Sequence, residues 1–196
     1  MGRDAGSDTL VEQAAGGKTV SQIFAEDGEE YFRDLEVEVL SELCSFQRCV
    51  VGTGGGVVLR TRNWASMRNG VVIWLNGATS ILAERAVGDG TGSRPLIANE
   101  DGEDLLAATQ EKLENIFQER KHLYQEADAC VSIQESADSN TSATPQVIVE
   151  RCLDSIVYLM DKKKMELNER SKKNNMVNYN KFDDGKDTGG KNGFGG

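Results

Sequence analysis

A chain of 196 residues is long enough to enclose one hydrophobic core of ordinary domain size. Its net charge of −10 argues against nucleic acid as a partner, and no apolar run approaches the roughly 20 residues of a membrane-spanning helix. The first residues, Met-Gly-Arg-Asp-Ala-Gly, form neither a secretory signal nor an Arg- and Ser-rich transit peptide.

The charge is unevenly spread. Residues 1–160 hold 13 basic and 26 acidic side chains, whereas 161–196 hold nine and six. An anion bound by the body must therefore be held by a few placed Arg residues acting against the overall field. Four cysteines, Cys44, Cys49, Cys130 and Cys152, lack metal-ligand spacing and sit in apolar patterns, which reads as buried thiols in a reducing compartment. With a single His122, a His-based metal or nucleophile site is not expected.

In chain order, Gly17-Lys18-Thr19 mimics the end of a phosphate-binding P-loop. The Gly required five residues earlier is Glu12, and Glu12-Gln13-Ala14-Ala15 is no apolar strand aimed at a phosphate. Thr19-Val-Ser-Gln22 instead predicts a capping box that opens a helix with Val20, Ile23 and Phe24 on one face, ended by Gly28. A second helix is predicted over Glu29–Leu43, burying Phe32, Leu35, Val39 and Leu43. Its opposite face is acidic, with Arg33 nearly alone there.

Cys49-Val50-Val51 reads as a strand opening into Gly54-Gly55-Gly56. Val71–Leu75 and Ala129–Ile133 read as two more strands, with a helix over Leu105–Tyr124. Continuous apolar strands alternating with helices predict a three-layer α/β fold, a parallel sheet covered on both faces. Arg85–Asn99 is a glycine-rich polar loop containing Arg94, and Pro145 starts a last amphipathic helix. From residue 161 the composition turns to Lys, Asn, Gly and Asp. The expected organisation is a folded domain over 1–160 and a disordered tail over 161–196.

Five segments in order, SDTLVEQAAGGKTVSQIF, GEEYFRDLEVEVL, VVGTGGGVVLRTRNW, SRPLI and ERKHLYQEADACVSI, together resemble shikimate kinases, the plant-type enzymes in particular. The resemblance implies a nucleoside-monophosphate-kinase-like P-loop fold with a five-stranded parallel sheet. It also implies transfer of the γ-phosphoryl group of ATP, with Mg2+, to the 3-hydroxyl of shikimate. Chloroplast location and a role in chorismate and aromatic amino acid biosynthesis follow from the same likeness.

By the same resemblance, Asp8 would bind shikimate hydroxyls and orient the attacking one. Arg33 and Arg120 would hold the shikimate carboxylate, Arg33 oriented by Glu36, since a guanidinium fork matches a carboxylate. Gly54, Gly55 and Gly56 would let backbone N–H groups approach the substrate. Arg94 would swing over the ATP phosphates as part of a lid, and Arg85 would lie near the adenine. The residues taken singly also admit plainer roles: a helix-capping Asp8, a solvated Arg33, a structural glycine turn and a neutral loop Arg94.

The sequence departs from the family pattern in three places. A P-loop and its strand would lie roughly 20 to 25 residues before Asp8, where only seven residues precede it. Gly6 stands in place of the first acid of an Asp-x-Asp pair, and Asn76 stands where plant-type enzymes carry Asp. No metal ligand is identified, and the main ligands of ATP and Mg2+ are missing from this chain. The expectation is an N-terminally truncated shikimate kinase, with the first strand missing and the flanking strand edges unpaired. The alternatives are a non-catalytic shikimate kinase-like binding or regulatory protein and, further off, a related kinase such as a gluconate kinase.

Overall fold

The computed structural model describes residues 3–88 and 105–183, with side chains over 6–88 and 105–173. Strand β1 (Arg3–Gly6) runs into helix α1 (Ser7–Ala14), whose Val11 is fully buried. Gly16 and Gly17, at φ of 75° and 89°, turn the chain back, a conformation that side chains with a Cβ rarely adopt. Helix α2 (Val20–Glu26) then starts with the predicted capping box. Thr19 Oγ1 accepts from the Gln22 N–H at 3.2 Å, and Gln22 Oε1 accepts from the Thr19 N–H at 2.9 Å.

Helix α3 (Gly28–Leu43) packs Phe32, Val39 and Leu43 against Val11, Val20 and Ile23. Strand β2 (Cys49–Gly52) follows, then the glycine triplet, a 3-10 turn over Val57–Leu59 and helix α4 (Thr61–Met67). Two side chains of α4 hold that turn. Asn63 donates to the Val57 carbonyl at 2.9 Å and Trp64 Nε1 donates to the Val58 carbonyl at 3.1 Å. Both α4 residues are buried, so the loop after the glycines rests on satisfied backbone rather than on solvent.

Strand β3 (Ile73–Asn76), helix α5 (Thr79–Gly88), helix α6 (Leu105–Tyr124) and strand β4 (Ala129–Ser132) form the second half. Their core is Ile81, Val131, Ile133 and Ala143, closed by Ile148 of helix α7 (Pro145–Asp183). Gly77 fits under this core with no room to spare. A Cβ there would lie 2.5 Å and 2.9 Å from Ile133 Cγ1 and Cδ1. Gly77→Ala should therefore lower unfolding free energy by about 1–3 kcal/mol, the usual cost of overpacking, read by urea denaturation.

The strands pair in parallel, but as two separate pairs rather than one sheet. β1 pairs with β2 from Arg3↔Cys49 to Gly6↔Gly52, and β3 pairs with β4 from Ile73↔Ala129 to Asn76↔Ser132. Among the described residues, neither β2 nor β3 has a ladder partner on its other edge. Val51–Thr53 and Ile73–Asn76 line one shared cavity of about 380 Å3. Apolar side chains on these strands are left open, Val50 72% exposed and Leu75 49%, as expected of strands with unpaired edges. With two strands to a sheet, apolar side chains near the open edges lack the neighbours that would cover them.

The cysteines are less buried than expected. Cys44, Cys49 and Cys152 are half-buried, and Cys130 on β4 is exposed. Loss of hydration still pushes the Cys44 and Cys152 thiols up, which disfavours the reactive thiolate.

The chain divides into two units, Met1–Cys152 and Leu153–Gly196. In the second, residues 161–183 are helical, where the sequence reading expects a tail without order. They bury nothing over 161–173. Lys162 and Glu166, Glu166 and Arg170, and Glu169 and Lys173 stand four residues apart, a spacing that supports a solvated helix without a core. No helix among the described residues is long and apolar enough to cross a membrane.

Candidate functional site

The C-terminal ends of β1 and β2 lie side by side, with Gly6 opposite Gly52. Two residues past one end is Asp8, in the first turn of α1; just past the other is the glycine triplet. This is the edge of a parallel sheet at which α/β proteins place their ligands.

The three glycines have three different neighbours. A Cβ on Gly54 would face Asp8 Oδ1 at 3.7 Å, and one on Gly55 would press on Tyr124 Oη at 3.1 Å. One on Gly56 would overlap the Arg33 guanidinium. Gly56 itself has an ordinary φ of −83°, so what requires glycine there is the close approach of Arg33, not backbone strain.

Arg33 is not the solvated charge that its acidic helix face suggests. It is 5% exposed. Its Nη1 donates to Glu36 Oε2 at 3.0 Å, while Nε and Nη2 donate to Glu29 Oε1 at 3.2 Å and 3.0 Å. The Phe32 ring lies 5.1 Å from its guanidinium carbon. These three bonds leave two of the five guanidinium N–H groups for a further acceptor.

Glu36 is 1% exposed, and burial pushes its carboxyl above the usual 4.5. Pairing with Arg33 opposes this rise, while the charges of Asp8 and Glu29 add to it. The folded state thus holds the Glu36 proton more tightly than the unfolded chain. Its contribution to stability is complete below about pH 4.5 and is lost as pH rises through the elevated folded value. Glu36→Gln removes that titration. The gap in melting temperature between the parent and the variant should shift against the parent as pH rises above about 4.5, a change that calorimetric scans at stepped pH would show.

The remaining candidates are placed as follows. Asp8 is exposed, and its Oδ1 accepts from the Ser7 hydroxyl at 3.2 Å. Arg120 is half-buried on α6 and has no hydrogen-bond or ion-pair partner among the described residues. Arg85 is engaged elsewhere: Nε donates to Ser142 Oγ at 2.8 Å and Nη2 to the Ala143 carbonyl at 3.1 Å. Arg94 lies outside the described residues. Asn76 ends β3 opposite Ser132.

Gly17-Lys18-Thr19 lies in the turn between α1 and α2. Lys18 Nζ pairs with Asp27 at 2.7 Å and Glu26 at 3.1 Å, and the Val20 N–H donates to Glu12 Oε1 at 3.0 Å. Nothing in this turn is arranged to cradle phosphate.

Two site neighbours escaped the sequence reading. Glu29 is four residues before Arg33, a helical spacing that could have marked it as a partner. Tyr124 donates its hydroxyl to the Gly55 carbonyl at 3.0 Å, across 69 residues of chain, and no local pattern announces that contact.

Parallel strands joined by helices, with an acid, a buried guanidinium and a glycine turn at the strand ends, define an α/β protein with its candidate site at the C-terminal ends of a strand pair. Residues 5–157 match the shikimate kinase family model. The chain belongs to the shikimate kinase family.

Its relatives include shikimate kinase 3, chloroplastic, of Oryza sativa subsp. japonica, 43% identical over 80% of this chain and 56% of that protein. Shikimate kinase of Synechococcus sp. (strain JA-3-3Ab) is 41% identical over 76% of this chain and 71% of that protein. Among solved structures, shikimate kinase from Acinetobacter baumannii in complex with shikimate superposes with a TM-score of 0.64 at 27% identity, covering 83% of this chain and 80% of that one. The chain spans about half the length of the plant relatives it matches, 56% of one and 43% of another.

Proposed function

We propose that this chain carries the acceptor site of a shikimate kinase, the enzyme that phosphorylates the 3-hydroxyl of shikimate with ATP. The observation that carries the reading is a buried Arg33, braced by two carboxylates against Gly56, with two N–H donors left to hold a carboxylate. Arg120, which has no hydrogen-bond or ion-pair partner among the described residues, supplies a second positive group for the same carboxylate. Asp8 accepts hydrogen bonds from ring hydroxyls and orients the one that attacks. Plastid location is part of the same reading, supported by the chloroplastic plant relatives.

The described residues do not fit ATP or Mg2+ equally well. The one Gly-Lys-Thr run has its lysine committed to Glu26 and Asp27. No cluster of three His, Cys, Asp or Glu side chains that could hold a metal occurs among the described residues. They form the acceptor half of the reaction, not the nucleotide half.

Isothermal calorimetry of the full chain with shikimate tests the proposal. Binding with a Kd below about 1 mM is expected, in the range of ordinary enzyme–substrate affinities. No heat of binding at several times that concentration would overturn it.

A further inference from the structure

We propose that Tyr124 is a positioning residue for this site, acting through the glycine turn on Arg33 and on the Gly56 amide. The inference rests on the acceptor-site reading above and extends it to a residue that need not touch shikimate.

Tyr124 ends α6, one turn after Arg120. Its hydroxyl donates to the Gly55 carbonyl at 3.0 Å. In a trans peptide the carbonyl and the next N–H point in opposite directions, so holding the Gly55 oxygen also aims the Gly56 N–H. That N–H has no hydrogen-bond partner among the described residues. It faces away from Tyr124, and its residue is the one packed directly on the Arg33 guanidinium.

Three consecutive glycines have little conformational preference of their own, so the direction of this peptide must be imposed from outside. The Tyr124 ring is well placed to impose it. It stacks on Trp74 with centroids 5.6 Å apart, and Trp74 stacks on Phe117 at 6.2 Å. A strand and a helix therefore brace the phenol that holds the turn. One helix end thus carries both Arg120, unpartnered among the described residues, and the clamp on the glycines that abut the other guanidinium, Arg33.

Tyr124→Phe keeps the ring stack and removes only the hydroxyl. Its shikimate Kd in calorimetry should rise about 3- to 10-fold as the glycine turn loosens, while the thermal midpoint falls by only a few degrees, the effect of one lost neutral hydrogen bond in a chain of this length. A second readout does not depend on shikimate. In nitrogen-15 NMR spectra of the full chain, the Arg33 Nε–H and Gly56 amide resonances should shift in the variant, although neither group touches Tyr124.

Gly55→Ala approaches the same contact from the other side, pressing a methyl group on the hydroxyl, and should move the same resonances. Unchanged Arg33 and Gly56 resonances in both variants would overturn the positioning role. So would an unchanged Kd in Tyr124→Phe while the parent binds. If the parent chain fails to bind shikimate, the acceptor-site reading falls, and the resonances alone decide whether Tyr124 sets this turn.

Discussion

Arg33→Ala should weaken shikimate binding by roughly 10- to 100-fold, since hydrogen bonds to a charged group are worth about 1.5–3 kcal/mol. It should also destabilise the fold by about 3–5 kcal/mol, because Glu36 is then buried beside no positive charge. The two effects have to be separated, and Arg33→Lys does so. An ammonium can still neutralise Glu36, yet with three N–H groups it cannot donate to Glu29 and Glu36 and keep two more for a carboxylate. Arg33→Lys should therefore stay folded in urea titrations and still show most of the loss of shikimate affinity by calorimetry. Parent-like affinity in the Lys variant would remove Arg33 from the site.

How far the sequence reveals this site depends on the range over which each feature is encoded. The capping box at Thr19 and Gln22, the helix over Leu105–Tyr124 and the strand at Cys49 are local patterns, and they appear where the periodicity puts them. Glu36 as the partner of Arg33 follows from helical spacing together with the family resemblance. The depth of Arg33 does not follow. A helical-wheel reading assigns it to the acidic, solvated face, and only the approach of Gly56 from a loop more than twenty residues later closes over it. The Tyr124–Gly55 contact is less local still. It needs α6 and β2 already placed, and a lone tyrosine near a helix end carries no mark of such a role.

The sheet shows a different limit. Strand segments are legible as apolar runs, but which strands pair depends on the strands available. With four described strands, the ladder closes as β1–β2 and β3–β4 and stops. The free edges of β2 and β3 share a cavity instead of a partner, and Leu75, which lines it, is exposed. The residues proposed for the acceptor site, Asp8, Arg33 and Gly54–Gly56, all belong to elements on the β1–β2 side. Asp8 and Arg33 lie on α1 and α3, which pack through the core of Val11, Ile23, Phe32 and Val39. The glycine turn leans in addition on Tyr124 of α6 and on the cluster of Val57, Val58 and Trp64, which Val72, Leu123 and Tyr124 cover, so the two halves meet at the site even though their strands do not pair.

Gly56→Ala is the sharpest test of that geometry, because it alters one methyl group and no charge. The backbone at position 56 accepts alanine, with φ −83° and ψ −14°. The added Cβ would occupy space now filled by the Arg33 guanidinium, which Glu29 and Glu36 hold from the other side. Either the guanidinium gives up those bonds, or the glycine turn moves off it. In both cases the two spare N–H donors no longer point where a carboxylate would meet them. Shikimate affinity should fall about 10-fold or more, with a stability loss of about 1–3 kcal/mol from the overpacked contact. Gly52→Ala is the matched control: a Cβ at that position has nothing within 4 Å, and affinity should hold within about twofold. Equal losses in the two variants would point to general weakening of this strand end. A loss confined to Gly56→Ala would place the Arg33–Gly56 contact at the centre of substrate recognition.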